Sequence, residues 1–160
     1  MNFIRKILKS ESIKYDDTFD VHDILHNLTD DNYSFPHNTD ITSIRENVRN
    51  SLLSFQNISS EDIKTLQSKL FAYHFVDDIS HITKGKYVRW INKDDSFYLL
   101  KYGGIVMDIK FLNNGIHIVI FNKNLNRVIQ FKYDNVLLFQ KLSIEEELIL
   151  VARDIAQDIP

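Results

Sequence analysis

The spacing of apolar residues in this chain changes at Gly85, and that change sets what it can fold into. Before Gly85, apolar residues recur in steps of three and four, the period of a helix buried on one side. After it they alternate, the period of a strand with one buried face. A chain written in these two periods is expected to be α+β.

Residues 1–39 read as an N-terminal arm of short helices. Phe3, Ile4, Ile7 and Leu8 share a face of a short amphipathic helix. Arg5 and Lys6 interrupt it as a signal-peptide core, and Asn2 stands where N-myristoylation needs glycine. Asp20 is placed to cap a helix bearing Val21, Ile24, Leu25 and Leu28, and 29–39 reads as loop. Residues 40–84 are expected to form a helical hairpin. Its first helix, 40–56, carries Ile41, Ile44, Val48, Leu52 and Phe55 on one stripe, with Thr39 or Asp40 as its cap. Its second, 60–80, carries Ile63, Leu66, Leu70, Phe71, His74 and Phe75, and Ser59 with Asp62 marks its start.

Residues 85–142 are expected to form a small, closed or nearly closed five-stranded antiparallel β-barrel. Strands are expected at 87–93, 98–102 leading into 105–111, 116–120, 127–133 and 135–142. Alternation selects Ile105, Met107, Ile109, Ile116, Ile118 and Ile120 as the inward set. Asn113-Asn114-Gly115 is a tight-turn signal, residues 122–126 supply a second turn, and Gly103-Gly104 marks a bulge or kink. Residues 143–160 form a closing helix. Ser143 and Glu146 make a capping box, and Glu145, Glu146 and Glu147 face the positive end of the helix dipole. Its buried stripe is expected to be Ile144, Leu148, Val151 and Ile155.

The short, sharply turned strands of 85–142, with the Gly103-Gly104 kink and the Asn-Asn-Gly hairpin, resemble an SH3-like barrel. The runs Lys86-Tyr-Val-Arg-Trp-Ile91, Gly103-Gly104-Ile-Val and Val136-Leu-Leu-Phe-Gln-Lys-Leu142 are also similar to small uncharacterised β-rich proteins of large DNA viruses. That resemblance implies a viral or virion protein and assigns no functional residue. Composition agrees with an AT-rich source genome: 21 Ile and 14 Asn stand against 3 Ala.

The chain contains no cysteine, which removes disulfides, thiolate metal sites and a cysteine nucleophile and fits a reducing, intracellular setting; the viral resemblance implies host cytoplasm or virion. No apolar run is long enough to span a bilayer. Four glycines cannot build a phosphate-binding loop, a dinucleotide fingerprint or a nucleophile elbow. His22 and His26 have the i, i+4 spacing of zinc ligands, but Asp23 stands where the zincin pattern needs glutamate and no third ligand is evident. His74 and His81 fall on one side of the expected second helix, with no nucleophile or oxyanion site beside them. Asp16-Asp17 and Asp94-Asp95 lie in turn-like contexts that suit solvated loops. No catalytic residue, metal or cofactor is expected, and the chain reads as a non-enzymatic structural or protein-interaction module.

Charge supplies the alternative. Residues 85–142 carry a net charge of +5, whereas 1–84 and 143–160 carry −4 each. Lys86, Arg89, Lys93 and Lys101 are interleaved with Trp90 and Tyr102, the combination by which small barrels hold phosphates on cations and bases on rings. The competing account is internal, with acidic helices complementing a basic barrel.

Overall fold

The computed structural model describes residues 35, 36 and 38–157. The amphipathic start, the Asp20-capped helix, Asp16-Asp17, His22 and His26 lie outside the described residues. The chain divides into two compact units, Met1–Ser43 with Ser143–Pro160, and Ile44–Leu142.

Helix α1 spans Ile41–Leu52. The Asp40 carboxylate caps it, accepting the Ser43 backbone N–H at 2.8 Å and the Ser43 hydroxyl at 2.9 Å. All five members of the expected stripe, from Ile41 to Phe55, are buried. Helix α2 spans Ser60–Lys69 and is capped by Ser59, whose hydroxyl accepts the Asp62 N–H at 3.1 Å.

The expected helix over 60–80 therefore stops halfway. Residues Tyr73–Phe75 form strand β1, and Ile79–His81 form a 3₁₀ turn. The run from Leu70 to Val76 is apolar and aromatic enough to suit either period, and pairing with a distant strand decides it. His74 and His81 consequently do not share a helix. His74 is buried and accepts a hydrogen bond from the Gln140 side-chain amide at 3.3 Å, while His81 sits 3.6 Å from Asp77.

Five further strands follow: β2 (Tyr87–Asn92), β3 (Gly104–Leu112), β4 (Gly115–Asn122), β5 (Arg127–Lys132) and β6 (Val136–Lys141). With β1 they form one antiparallel sheet of order β1-β6-β2-β3-β4-β5. The architecture is α+β, as the two periods require. The sheet is open and has six strands, so the closed five-stranded barrel is not what forms: β1 and β5 are edges that each pair with a single neighbour. It is curled nonetheless, enough for Trp90 of β2 and Phe131 of β5 to stack at 4.2 Å.

The two faces of the sheet pack two cores. Ile91, Leu137 and Phe139 join Val48, Leu52, Phe55, Ile63, Leu66 and Leu70 of the helical segment. Val88, Trp90, Val136 and Leu138 face the other way and join Val106, Ile118 and Ile120 within the curl. Strand β6 is buried on both faces, which explains its uninterrupted Val-Leu-Leu-Phe run.

Four of the six expected inward residues hold and two are corrected. Ile118 and Ile120 are fully buried and Ile109 and Ile116 pack against the same core, but Ile105 and Met107 are exposed and Val106 is buried instead. The pairing of β3 with β4 shifts between Val106 and Asp108, so Met107 is the extra residue of a bulge. One added residue reverses the phase of alternation, and residues before the bulge face opposite to what a single pattern predicts. The expected strand at 98–102 is also absent; an isolated bridge from Leu100 to Ile91 replaces it.

Helix α3, Ile144–Gln157, begins with the expected capping box: Ser143 Oγ accepts the Glu146 N–H at 3.1 Å, and Glu146 Oε1 accepts the Ser143 N–H at 3.0 Å. Of its expected buried stripe, Val151 is buried and the other three are not. Ile144 is exposed, Leu148 and Ile155 are half-buried, and Ile149, Leu150, Val151 and Ala152 are buried. Residues 148–152 are apolar all round, so no stripe is legible there. In the same unit, Arg153 donates to the carbonyls of Pro36 and Thr39 at 2.9 and 3.0 Å. Among the described residues, no helix is long and apolar enough to cross a membrane.

Candidate interaction site

The six residues singled out as a cation-and-ring surface do not form one site. Trp90 is 5% exposed and stacked on Phe131, so it is a core residue and offers no platform to a base. Alternation along β2 puts Val88 and Trp90 on the curled side and Arg89 on the other, a partition that counting aromatics overlooks. Lys93 follows the far end of β2 and lines a separate cleft with Asn47, Asn50 and Asp77. Lys86 stands before β2, where its carbonyl accepts the Val106 N–H at 2.9 Å. Arg89, Lys101 and Tyr102 do come together. Arg89 Nε donates to the Lys101 carbonyl at 2.9 Å, and its guanidinium carbon lies 5.8 Å from the Tyr102 ring centre.

What holds these three is the link between β2 and β3, and its construction is local. Asp95 Oδ1 accepts the Phe97 N–H at 2.8 Å and Asp95 Oδ2 accepts the Leu99 N–H at 3.2 Å. Asp95 thus serves as the organiser of a turn. Tyr98 has φ of +53°, a left-handed conformation that a bulky residue seldom adopts. Its ring packs 5.0 Å from that of Phe55, and its hydroxyl donates to the Gln56 carbonyl at 2.9 Å. Leu100 is buried in the helix-side core, and the Lys101 N–H donates to the Trp90 carbonyl at 2.8 Å. Tyr87 closes the arrangement with a hydroxyl bond to the Tyr102 carbonyl at 2.6 Å.

The side chains between these anchors are left outside. Phe97 is 88% exposed, Tyr102 78% and Leu99 56%. Two hollows flank Arg89 and Tyr102. One, of about 480 Å³, runs between the link and α2, past Asp62, Thr65 and Lys69. The other, of about 260 Å³, is lined by Tyr73, Tyr87, Arg89, Tyr102 and Lys141 and contains no carboxylate. Register explains the second: Tyr73 of β1 lies opposite Lys141 of β6, beside the β2 residues that carry Tyr87 and Arg89. Burial raises the Tyr73 pKa, the Arg89 charge opposes that rise, and Tyr87 adds to it. Among the described residues, no carboxylate is within ion-pair distance of Arg89. Its Nε is taken by Lys101, which leaves the terminal nitrogens as a two-pronged donor.

Chemically this surface can hold an apolar or aromatic side chain beside an anionic group. It presents no nucleophile paired with a base, and among the described residues no group of three His, Asp or Glu is placed to hold a metal ion. Phe97, Leu99, Lys69, Tyr73 and Lys141 were not singled out from sequence. For Phe97 and Leu99 a signal exists: apolar residues in a turn opened by Asp94-Asp95-Ser96, where folding alone favours polar ones. Lys141 and Tyr73 meet only through strand pairing 68 positions apart in the chain.

No protein-family model matches the chain, and neither does any curated protein or any solved structure.

Proposed function

We propose that this chain is a non-enzymatic protein-interaction module, a minor structural component of a virion or another large intracellular assembly. One observation carries this reading: Phe97, Leu99 and Tyr102 are displayed to solvent from a link whose backbone is fixed by Asp95, Tyr98, Leu100 and Lys101. Exposed aromatic residues beside an arginine match the composition of binding hot spots. A fixed backbone lowers the ordering cost of association. The left-handed Tyr98 is strain of the kind found at functional sites. In this proposal α1 and α2 act as a hairpin backing the link, and the likeness of 85–142 to SH3-like barrels is kept as a curled antiparallel sheet. No cofactor or metal takes part.

The second reading is a nucleic-acid surface made of Arg89, Lys101 and Tyr102. It is supported by the guanidinium and ring pairing at 5.8 Å and by the carboxylate-free hollow beside them.

Affinity purification from the native source tests the first reading. The wild-type chain is expected to retain a discrete protein partner that the Phe97→Ser/Leu99→Ser/Tyr102→Ser variant loses while melting within a few degrees of wild type. Retention of the same partner by that variant, or recovery of nucleic acid alone, contradicts it.

A further inference from the structure

We infer that the partner segment is acidic: a peptide that places carboxylates on Arg89 and Lys141 and an apolar side chain against Phe97 and Tyr102. This rests on the interaction-module reading and specifies its ligand.

Complementarity of charge selects the chemistry. The hollow between Arg89 and Lys141 has two cations, three tyrosine rings and no acid. Arg89 is held in place through Nε and keeps its terminal nitrogens, the pair that matches the two oxygens of a carboxylate. Lys69 adds a third cation on the α2 side of the ridge formed by Arg89 and Tyr102. A ligand crossing that ridge meets Lys69 beside Asp62 on one side, the carboxylate-free hollow on the other, and exposed apolar surface at Phe97, which is 88% exposed.

A nucleic-acid strand fits these observations less well. Its affinity comes from a track of cations matched to successive phosphates. Here Lys93 lines a different cleft from the one that holds Arg89 and Lys141, so the cations form no continuous track. Trp90, the strongest stacking ring in the sequence, is in the core. A second copy of this chain offers no better match, because the surface it would present in a symmetric contact is itself positive. A peptide needs only a few carboxylates and one apolar anchor.

Panning a random-peptide library on the immobilised full chain tests the inference, with the selected peptides then measured by fluorescence anisotropy. The expected consensus combines Asp or Glu with an aromatic or aliphatic residue. Its affinity should fall about tenfold or more in Arg89→Gln, weaken at high salt, and fall again in Lys141→Gln. Because Arg89→Gln also loses the bond to Lys101, Lys141→Gln serves as the second variant, and unchanged Trp90 fluorescence emission certifies the fold of each. A neutral or basic consensus that still requires Phe97 and Tyr102 overturns the acidic ligand and leaves the interaction reading standing. Selected peptides that bind equally well to the Phe97→Ser/Leu99→Ser/Tyr102→Ser variant overturn both. Displacement of the peptides by oligothymidylate at equal concentration also overturns the inference, in favour of nucleic acid.

Discussion

Gly103 and Gly104 sit where neighbouring backbones leave no room for a β-carbon. Gly103 has φ of +82°, and a β-carbon on it would lie 1.8 Å from the Val88 carbonyl oxygen. One on Gly104 would lie 2.3 Å from the Phe121 carbonyl oxygen. The Gly103 carbonyl also accepts the Asn122 side-chain amide at 2.8 Å, tying the entry of β3 to the end of β4. Gly103→Ala and Gly104→Val are therefore each expected to cost more than about 2 kcal/mol in urea denaturation. A wild-type midpoint for either would show that the approach of the two backbones is not required. Tyr133 makes a different residue-scale prediction. Burial, followed by the charges of Asp77, Asp78 and Asp134, pushes its pKa up to about 12 from 10.0, and its hydroxyl donates to the Val76 carbonyl at 2.7 Å. A group whose folded pKa is raised contributes stability below its unfolded pKa and loses it as pH rises through the folded one. Tyr133→Phe should cost about 1 kcal/mol at neutral pH, the net worth of a hydrogen bond. The gap to wild type should close between pH 10 and about 12. A gap that stays constant to high pH would mean the hydroxyl is not what is lost.

Strand β3 shows how far a sequence pattern reaches at the scale of an element. The alternation of Ile105, Met107, Ile109 and Phe111 is real, and so is the strand. A bulge at Met107 carries no marker in composition, so the phase of the first half could not be read. Helix starts were legible because Asp40, Ser59 and Ser143 act within three residues of themselves. The end of α2 was not, since Tyr73–Phe75 becomes a strand through a partner at the other end of the chain segment. The alternative, nucleic-acid reading needs Trp90 at the surface, and the sequence does not exclude this because its burial depends on the curl that brings β5 to β2. It is the single tryptophan, so its fluorescence tests this directly. The native emission should be blue-shifted, resistant to iodide quenching and unchanged by oligonucleotide, and Trp90→Ala should cost about 3–5 kcal/mol. Red-shifted, readily quenched emission would return Trp90 to the surface. The link after β2 gives the companion prediction. Asp95→Ala frees the Phe97 and Leu99 N–H groups, so it should weaken partner binding by about tenfold while lowering stability by only about 1 kcal/mol.

For the whole molecule, the partition of charge was legible from sequence, but its meaning was not. The +5 carried by 85–142 is spread over several surfaces, with Lys93 in one cleft, Arg89 by another, and Lys84 (from the preceding segment) already 3.3 Å from Asp108. The fold class followed from two periods of hydrophobicity, whereas the candidate site depends on strand register and on one turn, neither of which leaves a periodic trace. Any affinity for nucleic acid should accordingly be weak and fall off shallowly with salt, as few phosphates can be engaged at once. The account rests most heavily on Phe97 being displayed for a protein partner. Site-specific photo-crosslinking from position 97 in the native source tests this most directly, with Leu125, 61% exposed on the β4–β5 turn, as the control position. The account predicts one discrete protein adduct from position 97 and none of it from position 125. Adducts with nucleic acid, or the same products from both positions, would contradict it.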